Sequence, residues 1–159
     1  LDDDDTWDPT YLAECLRYGE KNNADWVISG LIRHQSPGDS GVKLSIPHQL
    51  SPSEFFTGNP HIQGSNLFVK LSTLLEAGGF DENLSSTTDR DVCIRLLDLG
   101  YPRIAYLSKY LVHHYALNDA TRLSFPSSEK KIQGLTAFYH KYLREYHSFC
   151  TVWLSAPAP

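Results

Sequence analysis

Residues 2 to 5 are four consecutive aspartates, set between Leu1 and Trp7 and followed at once by Asp8-Pro9. Adjacent carboxylates repel one another when drawn out of water. Blocks of like charge commonly stay solvated, which is the plain reading of an acidic stretch. The flanking leucine and tryptophan speak instead for a packed segment, and packed carboxylates need a counter-charge. Oxygen donors this close suit magnesium or manganese. A second acidic pair, Asp89 and Asp91, lies in TTDRDVCIRLLDLG. Thr88 with Asp91 three residues later spells a capping box. Asp89 then falls in a first helical turn, where the macrodipole favours an acid by about 0.3–1 kcal/mol.

The elements that must position these groups alternate along the chain. Asp8 reads as an N-cap with Pro9 at the first helical position, giving a helix over 9–22. DWVISGLIRH, 25–34, is rich in β-branched and aromatic residues and reads as a strand. QSPGDSG is a loop, VKLSI a short strand, and SPSEFF a short helix capped by Ser51. GNPHIQGSNLFVK holds a strand, and LSTLLEAGGF is a helix closed by Gly78 and Gly79. The helix after Thr88 buries Val92, Cys93, Leu96 and Leu97, and Gly100 stops it. RIAYL and YLVHHY are strand-like, and a last helix covers about 127–146. Such alternation predicts an α/β or α+β layered domain.

Each candidate also has a plain role. Arg95 pairs with Asp91 one turn earlier. His113 and His114 alternate on a strand, so at most one faces a given site. Trp26 and Phe68 are core residues. Lys130, Lys131, Lys141 and Arg144 form a solvated helix face, while Tyr139, Tyr142 and Tyr146 offer a surface for a neighbouring domain.

Composition narrows the class. The chain of 159 residues is one ordinary domain, and 41% apolar residues suffice for a core. No apolar run approaches the roughly 20 residues of a membrane span, and no basic-then-apolar signal peptide opens the chain. A net charge of −5 argues against a broad nucleic-acid surface. Cys15, Cys93 and Cys150 form no CxxC pair and read as reduced core residues. The expected location is therefore cytoplasmic, or the cytoplasmic face of a membrane. A leucine start and the lack of methionine lead us to expect a piece of something longer.

Taken together, LDDDDTWDP, GSNLFVKLSTLLEAGGFDENL and TTDRDVCIRLLDLGY resemble the family 2 glycosyltransferases of the GT-A fold. The resemblance covers residues 1–115, read as the metal-motif and acceptor half of such a domain, with 116–159 as a C-terminal loop and helix extension. It implies an α/β, GT-A-like layered domain lacking its N-terminal nucleotide-binding half, which becomes the expected partner. It further implies metal-dependent, inverting transfer of a sugar from a nucleotide-sugar to an acceptor hydroxyl on a glycan, lipid or protein. By resemblance Asp2 and Asp4 match the ends of the DxD motif and Asp5 the acid that often follows, with Mn2+ or Mg2+ as cofactor. Gly64, Ser65 and Asn66 match the segment near the donor diphosphate. Gly79, Phe80, Asp81 and Glu82 match a loop on the acceptor side. Asp89 matches the general base, with Thr88 where the family usually has glutamate. One of His113 and His114 matches a late histidine that supports the metal. The isolated chain is not expected to turn over substrate. The alternatives are a non-catalytic transferase-like binding module and, with less support, a metal-dependent nucleotidyltransferase, whose Gly-rich phosphate loop is not visible.

Overall fold

A computed structural model describes residues 1–47, 49–116 and 128–144. In chain order the elements are β1 (Thr6–Trp7), α1 (Tyr11–Lys21), β2 (Trp26–His34), β3 (Val42–Leu44), α2 (Pro52–Thr57), β4 (Leu67–Val69), α3 (Leu71–Glu76), α4 (Thr88–Asp98), β5 (Ile104–Tyr115) and α5 (Glu129–Lys141). β2 and β5 run parallel at the centre of a mixed sheet. β1 pairs antiparallel with β5, and both β3 and β4 pair antiparallel with β2.

β2 is buried on both faces, as a central parallel strand should be. Trp26 and Ile28 point into one apolar cluster, with Phe55 and Phe56 of α2, Val92, Ile94 and Leu96 of α4, and Phe138 of α5. Val27 and Leu31 point into the other, with Tyr11 and Cys15 of α1 and Leu107, Leu111 and Val112 of β5. The result is a helix–sheet–helix sandwich. Cys15 and Cys93 are free and buried, as expected; Cys150 lies outside the described residues.

Four readings change. Asp8 does not cap α1: its carboxylate accepts from the Thr10 amide and hydroxyl, so an Asx turn precedes a helix that begins at Tyr11. RIAYL and YLVHHY are one strand, bulged where the register with β2 shifts around Gly30. A Cβ on Gly30 would come 2.8 Å from the Tyr110 ring, so the two strands require glycine there. The Thr88–Asp91 capping box does not form. Thr87 precedes α4 in the left-handed region at φ 64° without a side-chain cap, and Asp91 is wholly buried. Tyr142 is likewise buried, packed on Phe56 and Phe138 of this chain. Tyr139 is exposed, and Tyr146 lies outside the described residues.

Candidate functional site

The aspartate turn and the first turn of α4 are 87 residues apart in sequence and face one cavity of about 1150 Å³. Asp2, Asp3, Asp4, Gly64, His114 and Asp89 line its polar side, with Lys131 of α5. Val69, Leu74, Phe80 and Leu96 line its apolar side.

The acid turn is anchored, not floating. The Asp2 amide donates to Ser65 Oγ at 3.1 Å, and Trp7 Nε1 donates to the Ser65 carbonyl at 2.7 Å. Trp7 also stacks on Tyr11, with ring centroids 4.4 Å apart. This explains one apolar flank of the acidic run: the Trp7 indole holds the turn against the 64–66 segment, whereas Leu1 is exposed and not packed as expected. Burial, then repulsion from Asp5, raises the Asp2 carboxyl above its ordinary range. Asp5 turns away from the cavity. Its carboxylate is buried beside His114 Nδ1 at 3.1 Å and takes the Tyr115 amide at 3.2 Å. Burial pushes its pKa up, but hydrogen bonds from His114 and Ser65 outweigh that and hold it below the usual value. An ionised carboxylate only accepts, so His114 donates from Nδ1.

Asp89 is half-buried at the start of α4. Asn59 Nδ2 donates to its Oδ2 at 2.8 Å, and the Arg90 amide donates to its Oδ1 at 2.8 Å. Burial raises its pKa despite the Arg90 amide and the Lys131 charge, which act the other way. A carboxylate with a raised pKa, facing a cavity, is a better proton acceptor than an ordinary one.

Not every residue of the resemblance comes to this place. Ser65 and Asn66 are buried behind the wall. Asn66 donates to the Ser29 and His61 carbonyls and accepts from the Gln63 amide, so it braces the loop. Of Gly79, Phe80, Asp81 and Glu82, only Phe80 lines the cavity. The Gly79 carbonyl binds Arg95, Asp81 binds Lys141 at 2.6 Å, and Glu82 is exposed. His113 turns to the opposite face and contacts His34 Nε2 at 2.9 Å, so the alternation of the two histidines holds. Arg95 pairs with Asp91 at 2.7 Å, as expected. Two residues were missed. Lys131, half-buried, lines the cavity on its α5 side. Asn59 sits in an irregular loop, where no spacing rule marks it.

Among the described residues no group of three or more His, Cys, Asp or Glu is arranged to hold a metal ion. Asp2, Asp4 and His114 offer two carboxylates and one imidazole at the edge of an open cavity. They form no ready-made cage, so a cation held there would need waters and substrate oxygens to complete its shell. Among the described residues no helix is long and apolar enough to cross a membrane.

By sequence the chain matches no protein-family profile and no curated protein. Among solved structures it is similar to residues 1–349 of S. aureus TarS in complex with UDP-GlcNAc. The TM-score is 0.55 and the identity 17%, over 80% of this chain and 36% of that one. The chain thus spans about a third of the length of that structure. At this identity the likeness bears on the fold alone, and the fold it gives is a mixed α/β, glycosyltransferase-like one.

Proposed function

We propose that the chain is the metal-motif and acceptor half of an inverting sugar transferase that uses a nucleotide-sugar donor. The observation that carries this reading is the convergence of Asp2 and Asp4 with Asp89 on one cavity. The glycosyltransferase-like fold supports it, and the TarS structure holds a nucleotide-sugar.

In this reading the donor diphosphate lies at the acid turn, where Asp2 and Asp4, with His114 beside them, would hold Mn2+ or Mg2+. The cation supplies charge stabilisation to the departing diphosphate when bound. Asp5 fixes the His114 ring, as carboxylates behind ligating histidines do. The acceptor hydroxyl approaches from the Asp89 side. Its oxygen attacks the anomeric carbon while the bond to the diphosphate oxygen breaks and takes its electron pair with it. The hydroxyl proton passes to Asp89. Displacement from the opposite side inverts the anomeric centre, and such base catalysis is typically worth about 10²–10⁴-fold. Phe80 and the apolar wall offer a surface on which an acceptor could pack.

The test is calorimetric titration of UDP, GDP, ADP and CDP into the full-length protein, with and without Mn2+. One nucleotide should bind only with the metal, and Asp2→Asn/Asp4→Asn should weaken it at least tenfold. Metal-independent binding that survives the double substitution would overturn the donor assignment, and binding of none would favour a non-catalytic module.

A further inference from the structure

Asn59 is locked in one orientation by chemistry that leaves no choice. Its Oδ1 accepts from the Ile62 amide at 2.8 Å, and a backbone N–H can only donate. The amide NH2 must therefore face Asp89, and it lies 2.8 Å from Oδ2. The other oxygen is held by the Arg90 amide. The two donors come from different elements, one from the 58–63 loop and one from α4, and together they fix the plane of the carboxylate. The loop itself is braced by Asn66, which takes the Gln63 amide and donates to the His61 carbonyl.

We propose that Asn59 is the positioning residue of Asp89: it aims the carboxylate at the acceptor side of the cavity and, as a neutral donor, holds it without an ion pair. The proposal rests on the reading of Asp89 as the base. A lysine or arginine in the place of Asn59 would also hold the carboxylate, but its charge would favour the ionised form and make a weaker base. A neutral amide orients it at much less cost to basicity. Among the described residues, the other charged and titratable groups around Asp89 include Arg90 and Cys93 of α4, Lys131 of α5 and Asp2 of the acid turn, with Asp3, Asp4 and His114 on the same cavity. None of them changes when Asn59 is replaced.

Two substitutions separate aiming from folding. Asn59→Asp keeps an oxygen for the Ile62 amide but turns the donor into a second carboxylate. Asn59→Ala removes both bonds. The full-length protein is labelled with carbon-13 at the aspartate carboxyls, Asp89 is assigned by comparison with Asp89→Asn, and its titration is followed by NMR beside the melting temperature. The Asp89 midpoint should move to higher pH in both variants, further in Asn59→Asp, where two carboxylates share one site. Asn59→Asp should melt close to the parent below about pH 4, where the carboxyls are protonated, and lower at neutral pH, where they repel. Release of nucleoside diphosphate should fall at least tenfold in Asn59→Ala, since small misplacements at a reacting centre cost up to about 10²-fold. The acidic limb of the rate profile should follow the NMR midpoint. An unmoved Asp89 midpoint in a folded variant overturns the proposal. A moved midpoint that the rate profile ignores leaves Asn59 coupled to Asp89 but sinks the assignment of Asp89 as the base.

Discussion

Asp89 and Asp91 lie two residues apart on one helix, and their surroundings could hardly differ more. Asp89 faces a cavity, held by one side-chain amide and one backbone amide, with its pKa raised by burial. Asp91 is fully buried and surrounded by cations and a phenol: Arg95 at 2.7 Å, Lys141 at 2.6 Å and the Tyr142 hydroxyl at 2.7 Å. Arg95 continues to the Ala77 and Gly79 carbonyls, and Lys141 to Asp81. Asp91 is thus the post on which α4, α5 and the 77–81 turn are hung. One acid is kept available and the other is committed. Burial and partner chemistry both separate them: Asp89 is half-buried between neutral amides, and Asp91 is wholly buried among cations and a phenol.

The largest effect should come from the committed acid. Asp91→Ala leaves Arg95 and Lys141 facing a buried gap, and removing one member of a buried ion pair typically costs about 3–5 kcal/mol. Urea unfolding of the full-length protein should show a loss of at least about 3 kcal/mol. A loss near zero would mean that α5 is docked by its apolar face alone.

A smaller effect tests the same dock from the other side. Gly134 of α5 lies against Ser86, and a Cβ there would come 2.5 Å from the Ser86 amide nitrogen and 2.9 Å from its Cα. On a free helix Gly134→Ala would stabilise by up to about 1 kcal/mol. Here it should destabilise by roughly 1–3 kcal/mol, as overpacking does. The sign decides whether α5 sits on the 85–88 loop that leads into Asp89.

The smallest effect is a pH dependence. Lys141, then the Asn83 amides, lower the Asp81 carboxyl from 3.8 to about 2. A group depressed on folding contributes stability above its unfolded value and loses it as pH falls towards about 2. Asp89 is raised on folding, so its contribution runs the other way: present below its unfolded value and lost as pH rises through its folded one. Between pH 4 and 2, Asp81→Asn should therefore lose less stability than the parent. Parallel acid-unfolding curves would remove the Asp81–Lys141 pair from the account.

How much was legible in advance follows the range of the interactions. Trp26–His34 came from its β-branched and aromatic content and α2 from Ser51 before Pro52; the Ser51 amide donates to Glu54 at 2.7 Å. The apparent box at Thr88–Asp91 has the same spelling but fails. Asp91 has stronger partners in Arg95 and in α5, 50 residues away, and a local hydrogen bond cannot compete with them. The acid turn was legible through Trp7 but not through Leu1, which is exposed, and its anchor, Ser65, became visible only once β4 was placed beside β2. Asn59 carried no signal, because an asparagine before a proline reads as a turn. Its role exists only through two contacts in space.

The central claim is that Asp89, unlike Asp91, serves chemistry and not the fold. The measurement is release of nucleoside diphosphate from the nucleotide-sugar whose nucleotide the titrations select, by the full-length protein, with the melting temperature read on the same samples of parent, Asp89→Asn and Asp91→Asn. Asp89→Asn should keep its melting temperature and nucleotide affinity while turnover falls by about 10²-fold or more. Asp91→Asn should lose stability first and retain turnover in proportion to the folded fraction. Near-normal turnover by Asp89→Asn, or a melting temperature that falls as far as that of Asp91→Asn, would contradict the account.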